Sequence, residues 1–164
     1  MSKNLLICLM AGLALSPSVH AVDVVSTKNI GMELARDLSD HAVQACRKLG
    51  FQVSAVVVDR NGIVRSILRD DLATRFTIQI AREKANAAMM AGIPSGEFRK
   101  NRSDIRPEMN HVDGIIMMQG GIPISAGGAR IGAIGVSGAP GGDKDEICAQ
   151  KAIDAVKERL EFAE

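Results

Sequence analysis

Tryptophan and tyrosine are absent from the chain, and phenylalanine occurs only four times. A core must therefore be built from Val, Ile, Leu, Met and Ala, and the aromatic platforms on which single-stranded nucleic acids stack are missing. An excess of charge is lacking too: 20 basic residues face 19 acidic ones. That balance gives no electrostatic ground for binding nucleic acid or a membrane surface. Histidine and cysteine occur three times each, without the paired spacing of a zinc site. The glycine-rich stretch from Gly120 to Gly142 ends in no Lys-Ser or Lys-Thr, and Asp143, Asp145 and Glu146 put carboxylates where a phosphate would sit. Tight turns and helix capping account for it better than a phosphate loop. Ser125, Ser137 and Cys148 are possible nucleophiles, but no Gly-x-Ser-x-Gly elbow frames a serine.

What is present begins with Lys3, the apolar run from Leu5 to Leu15, and a polar stretch from Ser16 to His20 that contains Pro17. This is the order of a secretory signal, and Val19-His20-Ala21 places the cut after Ala21. The apolar run is about half the ~20 residues of a spanning helix, so stable membrane insertion is not expected. The expected organisation is a cleavable signal over 1–21 and one domain over 22–164, placed in the periplasm or secreted. Cleavage removes Lys3, Cys8 and His20, leaving a formally neutral domain with two histidines and two cysteines. An oxidising compartment permits Cys46 and Cys148 to pair. A bridge and two buried thiols are both open from sequence.

Hydrophobic periodicity predicts a helix from Ser26 to Leu49, with Ile30, Leu34, Leu38, Ala42, Ala45 and Leu49 recurring at three- and four-residue steps as its apolar stripe, Ser26 or Thr27 as N-cap and Gly50 as stop. Phe51 to Val58 and Ile63 to Leu68 read as strands around the turn Asp59-Arg60-Asn61-Gly62. A second helix is expected from about Ala73 to Met90, with Phe76, Ile80, Ala87 and Met90 on one side, before a polar, basic loop from Ser95 to His111 with room for one short helical turn. Short strands are expected at Ile115 to Met118, Ile122 to Ser125 and Ile131 to Val136. A last helix starts at Asp143, with Asp143 and Glu146 resembling a capping box and Ile147, Ile153, Val156 and Leu160 as its stripe. The order predicts an α+β domain, an antiparallel sheet flanked by helices.

With two histidines, a three-histidine metal site within one subunit is excluded, whereas a haem iron needs one or two axial ligands. His111 follows Arg99, Lys100, Arg102 and Arg106, which could pair with propionates, and lies near Met109, Met117 and Met118. From spacing alone, a solvated basic loop with an incidental histidine accounts for this pattern better. His41, near the stripe of the first helix, is expected to be a packed, hydrogen-bonded histidine.

Several blocks resemble the GlcG/HbpS family, which includes the C-terminal domain of PduO-type proteins. They are Val56-Val57-Val58-Asp59-Arg60-Asn61-Gly62, Arg69-Asp70-Asp71-Leu72-Ala73, Ala81-Arg82-Glu83-Lys84-Ala85-Asn86-Ala87-Ala88, Gly120-Gly121-Ile122-Pro123-Ile124, Ile131-Gly132-Ala133-Ile134-Gly135-Val136-Ser137-Gly138, and Asp145-Glu146 leading into Cys148-Ala149. They fall in family order across nearly the whole mature chain. The family usually has a glycine in the second block, where this chain has Asp71 and Leu72. The resemblance implies a profilin-like or PAS-like domain, self-assembly, and haem binding in several members. For exported members it further implies haem or iron sensing, sometimes with a membrane histidine kinase. The resulting expectation is an exported haem-binding protein that sequesters or senses haem. His111 and then His41 would be its axial ligands, Arg102 and Arg106 the propionate partners, and Met109 a pocket wall. Two other readings are an enzyme acting on a small organic acid or cofactor fragment, with Asp70 or Asp113 as general base, and a ligand-free interaction module for a membrane sensor.

Overall fold

The computed structural model describes residues 24–163. The expected signal, 1–21, lies outside the described residues. The elements run α1 (Met32–Lys48), β1 (Ser54–Asp59), β2 (Val64–Arg69), α2 (Phe76–Ala91), α3 (Ser95–Asn101), α4 (Arg106–Met109), β3 (Gly121–Ala126), β4 (Ala129–Ser137), α5 (Gly142–Ala155) and α6 (Lys157–Glu161). The four strands form one antiparallel sheet in the order β2-β1-β4-β3. The expected fold class is thus observed. No described helix is long and apolar enough to cross a membrane.

The β1–β2 turn forms because the Asp59 carboxylate accepts from the Asn61 and Ile63 amides at 2.9 and 3.0 Å. Strand alternation then divides the core. Ala55, Val57, Ile122, Ile124, Ile134 and Val136 face α1 and α5, whereas Val56, Val58 and Ala133 face α2. On the first side, a disulfide joins Cys46 of α1 to Cys148 of α5 with their Cα atoms 5.4 Å apart. The question that spacing left open is settled as a bridge.

On the opposite side, α2 lies directly on the sheet. Gly121 of β3 pairs with Gly135 of β4, and a Cβ on Gly135 would overlap the Ala81 carbonyl oxygen, while one on Gly121 would overlap that of Lys84. The helix answers with small side chains, Ala81, Ala85 and Ala88, all fully buried. Its seat is therefore over β4, β3 and β1. The outlying strand β2 keeps an uncovered face, with Ile67 48% exposed. Gly135→Ala should cost ~1–3 kcal/mol by overpacking against helix backbone that has little room to shift. A denaturant midpoint unchanged in that variant would contradict this seating.

Several predicted boundaries move for physical reasons. The first helix starts at Met32, with Gly31 as N-cap. The segment before it is extended because Asn29 Oδ1 accepts from the Ile30 and Arg60 amides and the Ile30 amide donates to Ile131. Neither Ser26 nor Thr27 caps it. The stripe of α2 is Thr77, Ala81, Lys84, Ala85 and Ala88 rather than the side with Phe76 and Met90, which are exposed. The basic loop contains two short helices, α3 and α4. Ile115 to Met118 is not a strand. Asn110 Oδ1 takes the Met117 amide at 2.9 Å, and Met117 packs with Ala87 and Phe98 beneath α2. The capping box of α5 does not form either, since Gly141 is its N-cap and no side chain caps it. Ile147 is exposed, and Cys148, Ala149, Ala152, Val156 and Leu160 carry the buried stripe.

Candidate functional site

The α2 side of the molecule holds a cleft of about 310 Å³ where three pieces of chain meet. The β1–β2 turn contributes Arg60, Asn61 and Gly62, the C-terminal half of α2 contributes Asn86, Met89 and Met90, and the segment after α4 contributes Asp113 and Ile115. Asn86 fixes the wall, since its Nδ2 donates to the Gly114 carbonyl at 2.9 Å. Its Oδ1 is buried against Gly62 with no hydrogen-bond partner. A buried acceptor without a donor costs about 1–3 kcal/mol.

His111 is exposed and stands two residues before Asp113 in sequence, but it is not among the residues that line the cleft. Met109 is half-buried against the cluster of Ala87, Phe98 and Met117 beside it. Arg106 is exposed. Arg102 is held by Asp104 through two hydrogen bonds of 3.1 Å, which keep the Asp104 carboxyl below its ordinary value. His41 is elsewhere. It is exposed on α1, across the sheet from α2, and is not the packed histidine that the sequence pattern suggested. The two histidines of one chain therefore do not converge, while His111, Met109 and Arg106 share one region. Among the described residues no group of three His, Cys, Asp or Glu side chains could hold a bare metal ion.

The acids expected to act as bases divide similarly. Asp70 is buried and clamped by Arg47, with Nε to Oδ2 at 2.8 Å and Nη2 to Oδ1 at 2.6 Å. The Arg47 hydrogen bonds hold its carboxyl below the ordinary 3.8. It ties α1 to the end of β2 and is a poor proton acceptor. Its stabilisation is complete above the ordinary carboxylate range and is lost as pH falls through the depressed value. The thermal midpoint of Asp70→Asn should accordingly fall less steeply than that of the native chain as pH drops below about 4. Parallel acid profiles would show that the clamp does not govern acid stability.

The cleft residues Arg60, Asn61, Gly62 and Asn86 all lie in blocks shared with one family. The model of that family, described as haem-degrading protein HbpS-like, matches residues 30–154. The chain belongs to the HbpS-like family. No curated protein matches it. A solved HbpS-like structure, the crystal structure of HbpS, is 34% identical, covers 84% of this chain and 99% of its own, and superposes with a TM-score of 0.77. A double mutant of Streptomyces reticuli HbpS gives 32% identity, coverage of 88% and 99%, and a TM-score of 0.78. The haem complex of PduOC gives 25% identity, coverage of 77% and 94%, and a TM-score of 0.67.

Sequence reasoning missed most of the cleft wall. Asn86, Met89 and Met90 were legible only as helix residues, because their partners come from the β1–β2 turn and the 113–115 segment. The available signal was a polar amide, Asn86, set among alanines in a shared block.

Proposed function

We propose that this HbpS-like chain is an exported haem-binding protein that sequesters or senses haem. The observation that carries the reading is the cleft on the α2 side. It offers methionine and isoleucine walls and the cation Arg60, and the segment that supplies Asp113 and Ile115 carries the exposed His111 two residues earlier. These residue types fit a haem, which needs apolar contact for its ring, cations for its carboxylates and an imidazole for its iron. His111 would hold the iron in this reading. Met89, Met90 and Ile115 cover the ring. Bound haem would supply an iron centre open to ligand exchange and redox change, and the protein's part is to hold it and limit water access. The similarity to a PduOC domain solved with haem supports the assignment.

The N-terminal signal pattern supports export, and the Cys46–Cys148 bridge suits an oxidising compartment. Self-assembly and a membrane sensor kinase as partner complete the proposal on the family resemblance. Titrating the mature protein with hemin should give a saturable Soret shift near one equivalent. His111→Ala should abolish or displace it, and His41→Ala should retain it. A native protein without a saturable shift would overturn the reading.

A further inference from the structure

The cleft does not end at Asn86. The side of α2 that bears Asn86, Met89 and Met90 continues toward the N-terminus at three- and four-residue steps through Arg82, Gln79, Ile78 and Arg75. These four residues, with Val64 and Ile67 of β2, line a second cavity of about 320 Å³. Its floor is the face of β2 that α2 leaves uncovered by sitting on Gly121 and Gly135. The two cavities thus lie end to end along one helix. Phe76, at the start of α2, is 58% exposed with the Arg75 guanidinium 4.3 Å above its ring.

The charge of this extension is one-sided. Arg75 and Arg82 are exposed, and among the described residues neither forms an ion pair. The acid next to Arg82, Glu83, accepts instead from Gln79 at 2.8 Å. Arg102 of the basic loop already has its carboxylate in Asp104. An apolar floor with two unpaired guanidinium groups complements a flat apolar molecule that ends in carboxylates. A second copy of this same face would bring arginine against arginine and is disfavoured.

We propose that Arg82 and Arg75 bind the carboxylates of the haem, the ring lying along α2 from the Asn86–Met89 end toward β2; this rests on the haem reading above. Arg82 is about 6 Å along the helix from Asn86 and about 10 Å from Met89. Of the two arginines of the second cavity it is the nearer to the Asn86–Met89 end. Arg75 is the second, steadied by Phe76.

The test compares hemin with hemin dimethyl ester, in which both carboxylates are masked, on the mature protein and on two double variants. The native chain should bind hemin roughly 10-fold or more tightly than the diester, the scale of a charge-assisted hydrogen-bonded pair at a half-open site. R75Q/R82Q should bind both alike, at the diester level, and R102Q/R106Q should keep the native preference. All four arginines are exposed, and matched thermal midpoints verify folding. If R75Q/R82Q keeps the preference, or R102Q/R106Q loses it, the carboxylates are held elsewhere and the inference fails while the haem reading stands. If the native chain binds neither compound, the haem reading itself fails.

Discussion

Lys84→Met should destabilise the domain by about 3–5 kcal/mol, the cost of leaving a buried charge without its partner. Lys84 is the largest fully buried side chain, on the face of α2 that meets the sheet. Its ammonium donates to Asp145 Oδ2 at 2.7 Å and to the Val136 carbonyl at 3.1 Å. The other oxygen of Asp145 accepts from the Ala139 amide at 3.0 Å. One ion pair thereby links α2, the end of β4 and α5. Burial pushes the Asp145 carboxyl above its ordinary value in spite of Lys84, so desolvation outweighs the attraction. The double variant K84M/D145N should consequently regain much of what K84M loses. Denaturant melts of the three proteins decide the matter, and a double variant no better than K84M would mean that the lysine acts through packing rather than charge.

Removing the disulfide should be nearly as costly. It joins α1 to α5 across a sequence separation of 102, and a loop of that order restricts the unfolded chain by an amount worth up to ~4.7 kcal/mol in the chain-entropy model. Removal of native bridges typically costs about 2–5 kcal/mol. At roughly 2–4 °C per kcal/mol for a chain of this size, Cys46→Ala with Cys148→Ala should lower the midpoint by roughly 4–20 °C. Scanning calorimetry with and without reductant checks it. Native protein that melts alike in both, with its thiols shown to be free after reduction, would contradict a stabilising bridge.

The helix–hairpin–helix opening was legible because period and turn chemistry are local properties. Leu38 and Ala42 repeat at helical spacing, Val56 to Val58 are β-branched, and Asp59 to Gly62 spell a turn whose hydrogen bonds the Asp59 side chain supplies. Helix ends were less legible, since Gly31 and Gly141 cap with backbone alone while Ser26 and Asp143 looked like better caps. Asp145 in particular reads as a first-turn acid and is turned inward by Lys84. Lys84 itself resembles any solvated helix lysine until its neighbours Ala81, Ala85 and Ala88 are seen as one small-residue face.

His111 and Met109 were legible as a pair near positive charge, in the stretch that leads into the cleft residues Asp113 and Ile115. The groove was not. It exists because two glycines of the β3–β4 hairpin, far in sequence from both α2 and β2, let α2 settle over β3 and β4 and leave β2 bare. No local window contains that information. Charge runs mislead in the same way: the Arg99 to Arg106 cluster drew attention, yet Arg102 is already paired with Asp104 and none of the cluster lines a cavity on α2, whereas the isolated Arg75 and Arg82 do.

The most direct measurement of the central claim is the iron position in crystals of the mature protein grown with hemin, read from anomalous scattering at the iron edge. One iron site is expected, in the cleft bounded by the β1–β2 turn, the C-terminal half of α2 and the 113–115 segment. An iron peak beside His41 on α1, or none on the α2 side of the sheet, would contradict it.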